Sequence, residues 1–261
     1  MTKSYITERD TRLLEYLDRY SLMTTKQIHD THFPATDTHT MLRRLRLLEG
    51  RKLIQRHHGL EKGKLAWTVG PKGLTTIASS SALIVNRNTI EHDTLVTEVR
   101  IVLDRLGIGK KWNGYHQLRL AANTDVKPED RTFDVIPDSL FGIVKGNEAK
   151  FIALEVELTA KSCKRYRKIL DLYSYKKSID HVWYVIKPQK LGAALHAQID
   201  KIPKMVEDNW LAWTSMEDLF ANQLEAKVHF QNGKWQTLKE FVPPSRSSRS
   251  ISTLPTRALT P

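Results

Sequence analysis

Between residues 92 and 186 the hydrophobic pattern changes its period several times, in a definite order. Residues 92–106 carry apolar side chains at helical spacing. Shorter apolar runs bounded by turn residues then predict strands, and a second amphipathic segment precedes a last apolar run. The predicted elements are a helix at 92–106, strands at 115–120, 133–144 and 151–157, a helix at about 160–178 and a strand at 181–186. This order predicts a mixed α+β domain.

The first eighty residues show a different pattern, of short helices followed by a hairpin. Residues 7–20 predict a helix, Thr24 can cap a second helix, and a third begins near residues 36–38. Two strand-like runs, 53–56 and 66–69, flank the polar, glycine-containing segment 59–64. Three helices and a basic-tipped hairpin resemble the winged helix-turn-helix family, in which the third helix enters the major groove of DNA and the hairpin touches phosphate.

Charge favours a polyanionic partner. The chain has 41 Lys and Arg residues against 29 Asp and Glu, a net charge of +12. The single cysteine, Cys163, excludes an intramolecular disulfide and a cysteine-rich zinc module. There is no signal-peptide pattern and no run of eighteen apolar residues, so we expect a cytoplasmic protein without a membrane partner.

In the predicted winged helix, two groups of residues are candidates for DNA contact. The third helix presents Thr38, His39, Arg43 and Arg44, and the hairpin tip presents Lys62 and Lys64. Two other interpretations stay open, because a charged helix face is often only solvated and winged helices also bind proteins. His57 and His58 have no cysteine or acidic neighbour that would complete a zinc site.

Acidic residues accompany two of the predicted strands in the second half of the chain. Asp138 follows Pro137 on the second strand, and Glu155 and Glu157 lie on the third. If their carboxylates converge, they repel one another unless a cation or raised pKa values relieve them. Carboxylate oxygens select Mg²⁺ or Mn²⁺ over zinc. The alternative is that the two glutamates point to solvent from a half-exposed strand and have no further role.

These motifs, in this element order, resemble the core of the PD-(D/E)xK nuclease superfamily, also called the restriction-endonuclease-like fold. The resemblance implies that Asp138 and Glu155 hold a divalent metal and that Glu98 on the first helix is an additional acidic ligand. Position 157 departs from the pattern, because it is Glu where the superfamily has Lys. Lys161 then becomes the candidate for the displaced catalytic lysine, and Glu157 either ligates metal or marks a member that only binds DNA.

The helix after the acidic strand is strongly basic and carries tyrosines. Lys164 and Arg165 are candidates for phosphate contact. Tyr166, Leu170 and Tyr173 fall at positions i, i+4 and i+7, which favours a seam against the sheet. A tyrosine nucleophile acting on DNA is the alternative interpretation.

Taken together, the motifs at 92–100, 136–138 and 153–157, with Lys161, resemble the replication-relaxation family and the MOBC-type relaxases of mobilisable plasmids. The resemblance implies recognition of an origin of transfer in double-stranded DNA, followed by metal-dependent nicking of one strand by a relaxase. It also implies accessory mobilisation proteins or a coupling protein as partners, and it leaves a homodimer open.

We therefore predict an α+β protein in four parts: a winged helix at 1–78, a linker at 79–90, a restriction-endonuclease-like domain at 91–242 and a disordered basic tail at 243–261. Two other functions remain open. One is a DNA-binding replication initiator or transcriptional regulator without catalysis. The other is a resolvase that recognises junction geometry.

Overall fold

A computed structural model of the chain describes residues 6–79, 85–124, 135–145, 148–174, 176, 178–187, 192 and 210–242. Helices and strands are mixed in an α+β architecture with one large sheet. The chain divides into two compact units, Met1–Arg100 and Ile101–Pro261. No helix in the described ranges is long and apolar enough to cross a membrane.

Four helices and a three-stranded sheet form most of the first unit. The antiparallel sheet has the order β1-β3-β2. In chain order the unit contains α1 (Glu8–Tyr20), β1 (Met23–Thr24), α2 (Thr25–His32), α3 (Thr38–Gly50), β2 (Ile54–His57), β3 (Ala66–Val69) and α4 (Pro71–Thr76), with a 3₁₀ turn at Glu61–Gly63. The predicted helices and both predicted strands lie within a few residues of these bounds.

Local sequence explains where these helices begin. Thr7 and Thr24 each form a capping box, in which the threonine oxygen accepts from a backbone N–H and the side chain three residues later bonds back. Asp37 caps α3 through its bond from the Thr40 N–H. Apolar residues at helical spacing on α1 and α3 are fully buried: Leu13, Leu14, Leu17, Met41, Leu45 and Leu48.

A buried ion pair fastens α3 to α1. The Arg44 Nε donates to Asp10 Oδ1 at 2.8 Å, and a second guanidinium nitrogen binds Oδ2 of the same carboxylate. Asp10 is completely buried. Burial alone would raise the pKa of Asp10, but hydrogen bonds from Arg44 and Thr7 hold it below its ordinary value. Arg44, one of the residues predicted to face DNA, is therefore engaged inside the fold and does not fit that role.

We expect Arg44→Ala to lower the free energy of unfolding by about 3 kcal/mol, because it leaves the Asp10 carboxylate buried without its cation. Arg43→Ala, the exposed neighbour, should change it by less than about 0.5 kcal/mol. Urea denaturation of the two variants measures the difference. Equal, small effects would contradict the structural role of the pair.

Helix α5 (Ile90–Arg105) crosses the division between the units. Within the first unit, the Thr97 hydroxyl donates to the Leu22 carbonyl at 2.8 Å, and the Gln27 amide donates to the Thr94 carbonyl at 2.9 Å. These bonds tie the first turns of α5 to residues 20–27. The compact unit consequently extends to Arg100, past the predicted linker at 79–90.

The second unit is built on a seven-stranded sheet of order β10-β9-β8-β7-β6-β5-β4. The pairs β6–β7 and β7–β8 are parallel and the others are antiparallel. Its elements are β4 (Lys110–Gly114), α6 (Tyr115–Thr124), β5 (Ser139–Lys145), β6 (Glu148–Glu157), α7 (Cys163–Ser174), β7 (His181–Ile186), β8 (Leu211–Ser215), α8 (Met216–Asn222), β9 (Lys227–Phe230), β10 (Trp235–Thr237) and α9 (Leu238–Phe241).

One predicted element in this unit is wrong. Residues 115–120 were expected to form a strand, but they begin α6, and the strand precedes them as β4. Gly107 and Gly109 adopt φ of 70° and 81°, so the chain turns out of α5 directly into β4. The Gly114 N–H then donates to the Gln117 side chain at 3.0 Å, which caps the new helix.

Helix α7 covers one face of this sheet. Tyr166, Leu170 and Tyr173 are buried and pack in one cluster with Ala153 and Tyr184 of the sheet. The predicted seam at these positions is confirmed. The predicted tail at 243–261 lies outside the described residues.

Candidate active site

Strands β5 and β6 bring two predicted acidic residues together. Asp138 directly precedes β5, and Ser139 pairs with Leu154. The Val156 N–H donates to Asp138 Oδ2 at 2.8 Å, so the Asp138 carboxylate lies beside the segment that carries Glu155. The Asp138 carbonyl accepts from the Tyr115 N–H at 2.9 Å, which holds its backbone from the other side.

The Glu155 carboxyl group lies near the Asp138 carboxylate. The side chain of Glu155 is half-buried, and burial together with the charge of Asp138 raises its pKa to about 8. The Tyr173 hydroxyl of α7 donates to Glu155 Oε1, which fixes the carboxyl group against the helix. The structure thus brings Asp138 and Glu155 together, as the sequence predicts.

Glu157 lies two residues further along β6, on the same face as Glu155. It is 5% exposed and binds the Lys161 ammonium. The Lys161 Nζ is also 5.8 Å from the ring centroid of Tyr166. Lys161 therefore lies beside the acidic pair, and its charge acts to lower the pKa of Glu155. Glu157 orients this lysine.

The two tyrosines of α7 are structural in this arrangement. Burial raises the pKa of Tyr166 to about 12, and burial together with the charge of Glu155 raises the pKa of Tyr173. A buried phenol with a raised pKa has little phenolate at neutral pH and is a weak nucleophile. On the opposite side of α7, Lys164 and Arg165 are exposed, as their predicted contact with phosphate requires.

Glu98, the predicted acid of the first helix, accepts a hydrogen bond from the Gln27 amide at 2.6 Å within the first unit. In the described ranges, no group of three His, Cys, Asp or Glu side chains is assembled as a metal site. Asp138 and Glu155 nevertheless suit Mg²⁺ or Mn²⁺. Magnesium is commonly bound by one or two carboxylates, with water and substrate phosphate completing its coordination. Burial, and after it the charge of Asp138, raises the pKa of Glu155, so a cation at this pair would favour the ionised carboxylate.

The pH dependence of stability provides a test of the raised pKa of Glu155. Because the pKa of Glu155 in the folded protein, about 8, lies above its ordinary value, the folded state keeps a proton that the unfolded state has lost. The stabilising contribution is present at low pH and is lost as pH rises through about 8. Glu155→Gln should therefore flatten the decline in unfolding temperature between about pH 5.5 and 9.

The matched control is Asp171→Asn, which alters an exposed carboxylate on α7. It should retain the wild-type pH profile. Addition of Mg²⁺ at alkaline pH should raise the unfolding temperature of the wild type and of Asp171→Asn, but not of Glu155→Gln. Identical pH profiles for all three proteins would contradict the raised pKa of Glu155.

The remaining predicted residues lie in the first unit. Thr38, His39 and Arg43 are exposed on α3, and Lys62 and Lys64 are exposed at the 3₁₀ turn between β2 and β3. Two further exposed residues of α3, Arg46 and Leu47, share the helix face of Arg43. Helical spacing from His39 was sufficient to indicate them.

A protein-family model described as Replication-relaxation matches residues 14–181. The chain belongs to the replication-relaxation family. The matched region contains α3 and the side chains of Asp138, Glu155, Glu157 and Lys161, so all the central motifs lie within the family's own part of the chain. Membership confirms the resemblance predicted from these motifs.

Other comparisons add little to this family assignment. No curated protein matches the chain. A solved structure of the restriction endonuclease FokI bound to DNA shares 13% identity with a TM-score of 0.24. The alignment covers 84% of this replication-relaxation protein and 44% of the FokI chain, so this chain spans less than half of that structure. A similarity at this TM-score carries no argument about the fold.

Proposed function

We propose that this protein is a Mg²⁺- or Mn²⁺-dependent DNA nickase, a relaxase that cleaves one strand at a plasmid or mobile-element origin. The observation that carries the proposal is the convergence of Asp138 and Glu155 on neighbouring strands, with the Lys161 ammonium beside them. Two carboxylates and a lysine, gathered where β5 begins and β6 ends, are the groups that metal-assisted phosphodiester hydrolysis uses. Membership of the replication-relaxation family supports DNA as the substrate.

Each side chain has a distinct role in the proposed reaction. Asp138 and Glu155 would hold the metal, which supplies an activated water and stabilises charge on the phosphate. Tyr173 orients Glu155 through its hydroxyl. Lys161 stabilises the negative charge that develops on the scissile phosphate. Glu157 holds Lys161 in place, which accounts for an acid where the PD-(D/E)xK pattern has its lysine.

DNA binding is assigned to the first unit. Three helices and a β1-β3-β2 antiparallel sheet support a winged helix, with α3 as the helix that enters the major groove. His39, Arg43 and Arg46 are exposed on one face of α3, and Lys62 and Lys64 are exposed at the tip of the hairpin. In this proposal α3 reads base edges and the hairpin binds phosphate.

A second function is favoured by one specific observation. Glu157 pairs with Lys161, and this ion pair partly neutralises the lysine that the proposed reaction needs. A protein in which this pair is only structural would be a DNA-binding replication initiator or regulator without catalysis. The decisive experiment is incubation of supercoiled plasmid carrying the cognate origin with the protein and Mg²⁺ or Mn²⁺. Open-circular product supports the nickase, and unchanged plasmid supports the initiator.

A further inference from the structure

Strand register places a row of side chains across five strands of the large sheet. Glu155 pairs with Tyr184, Tyr184 with Trp213, Trp213 with His229, and His229 with Trp235. Directly paired residues project from the same face of a sheet. With strands about 4.8 Å apart, the row extends about 19 Å from the candidate active site to strand β10.

From Tyr184 to Trp235, exposure increases along this row. Tyr184 is 1% exposed, whereas Trp213 and His229 are half-buried. The Trp213 and His229 rings are stacked, with centroids 4.1 Å apart and planes inclined by 12°. Trp235 is 55% exposed, more than any other large apolar side chain in the part of the chain that the structure describes. A tryptophan ring of this exposure leaves a large apolar surface in contact with water, which indicates that the ring binds a ligand.

A lysine lies over the ring of this tryptophan, and a second lysine precedes it in sequence. The Lys227 Nζ lies 5.0 Å from the Trp235 ring centroid, and Lys234 is its neighbour in sequence. One carboxylate lies beside Lys227, because the Lys227 N–H donates to Asp218 Oδ2 at 2.7 Å. Two other acidic residues of this region bind other groups. The Glu225 carboxylate binds Lys239 at 2.7 Å, and Glu240 accepts from the Thr237 N–H at 2.8 Å.

The hairpin that carries Trp235 is tightly turned. The Phe230 N–H donates to the Lys234 carbonyl at 2.9 Å, and the Lys234 N–H donates to the Asn232 side chain at 3.0 Å. Gly233 adopts φ of 77°, a conformation that the Asn-Gly turn provides at low cost. The backbone of Trp235 is therefore held in position before any ligand binds, which reduces the entropy lost on binding.

We propose that Lys227, His229, Lys234 and Trp235, here called the edge platform, bind unpaired bases of single-stranded DNA. A base stacks on the exposed Trp235 ring, and the two lysines bind the adjacent phosphates. This combination of an aromatic face and neighbouring lysines matches single-stranded nucleic acid better than a protein partner, since protein interface cores are depleted of lysine. The inference rests on the proposed function and adds a site for the strand freed near Glu155.

The test uses the full chain and a fluorescein-labelled oligo(dT) of about 12 nucleotides, with anisotropy recorded without divalent metal. We expect Trp235→Ala to weaken binding about tenfold, because a base loses its stacking partner. Trp235→Phe retains an aromatic face and should restore most of the affinity. Lys227→Ala should weaken binding several-fold, mainly at low salt.

Lys239→Ala is the matched control, since it removes one charge from a lysine that is already paired with Glu225. It should bind oligo(dT) like the wild type, and all four variants should bind duplex DNA normally. Wild-type oligo(dT) affinity in Trp235→Ala overturns the proposal. If that variant changes only the oligomeric state in light scattering, the surface is an interface between copies and the proposal again fails. Because no metal is used, absence of nicking leaves this measurement valid.

Discussion

Asp138→Asn and Glu155→Gln should each reduce nicking of supercoiled plasmid at least about a thousandfold, while duplex binding stays intact or becomes stronger. Each change removes a proposed metal ligand, and with it the group that activates water. Asp138→Asn also removes a negative charge that faces the DNA phosphate, and Glu155→Gln replaces a carboxyl group that keeps its proton up to about pH 8, so we expect neither change to lower affinity. Conversion of supercoiled to open-circular DNA measures the rate, and a mobility shift in Ca²⁺ measures binding.

Lys161→Ala belongs in the same series, with an expected loss of about a hundredfold if the ammonium stabilises developing charge. Asp171→Asn changes an exposed carboxylate on the same unit and should nick at the wild-type rate. Full activity in the Asp138→Asn, Glu155→Gln double variant would end the metal-nickase proposal. Loss of activity in Tyr166→Phe, with both carboxylate variants active, would transfer the chemistry to a tyrosine.

The affinity of the chain for duplex DNA should fall about a thousandfold or more between about 50 and 200 mM salt, if six or more phosphates are contacted. The reason is release of condensed counterions by a chain with a net charge of +12. Fluorescence anisotropy across a salt titration, with cognate and random duplexes, measures the slope. A flat salt response would contradict an electrostatic DNA interface.

Variants at two exposed residues distinguish recognition of bases from binding of phosphates in the same titration. Arg43→Ala should weaken discrimination between cognate and random duplex by about 1 to 3 kcal/mol, because α3 is proposed to read base edges. Lys62→Ala, at the hairpin turn, should weaken both duplexes alike. If Arg43→Ala also weakens both duplexes alike, α3 binds only the DNA backbone.

Local patterns in the sequence determined most of the elements and several candidate residues. The apolar spacing of α1 and α3 and the capping boxes at Thr7 and Thr24 depend only on neighbouring residues, so helix bounds were predictable. The apolar runs of β6 and β7 were equally clear. Element order placed Asp138 and Glu155 on neighbouring strands, but the register of β5 and β6, which pairs Ser139 with Leu154, decided that they lie together.

Only the tertiary structure decided which side chains meet across the fold. Arg44 was indistinguishable from Arg43 in sequence until its contact with Asp10, 34 residues away, became visible. The same holds for the helix at 115–124, whose start follows from the pairing of β4 with β5 and the bond from the Tyr115 N–H to the Asp138 carbonyl. It holds also for the β9–β10 hairpin, whose strands are only four and three residues long. The row from Glu155 to Trp235 depends on the register of five strands. Register between distant strands arises from packing in the folded core, which no local period encodes.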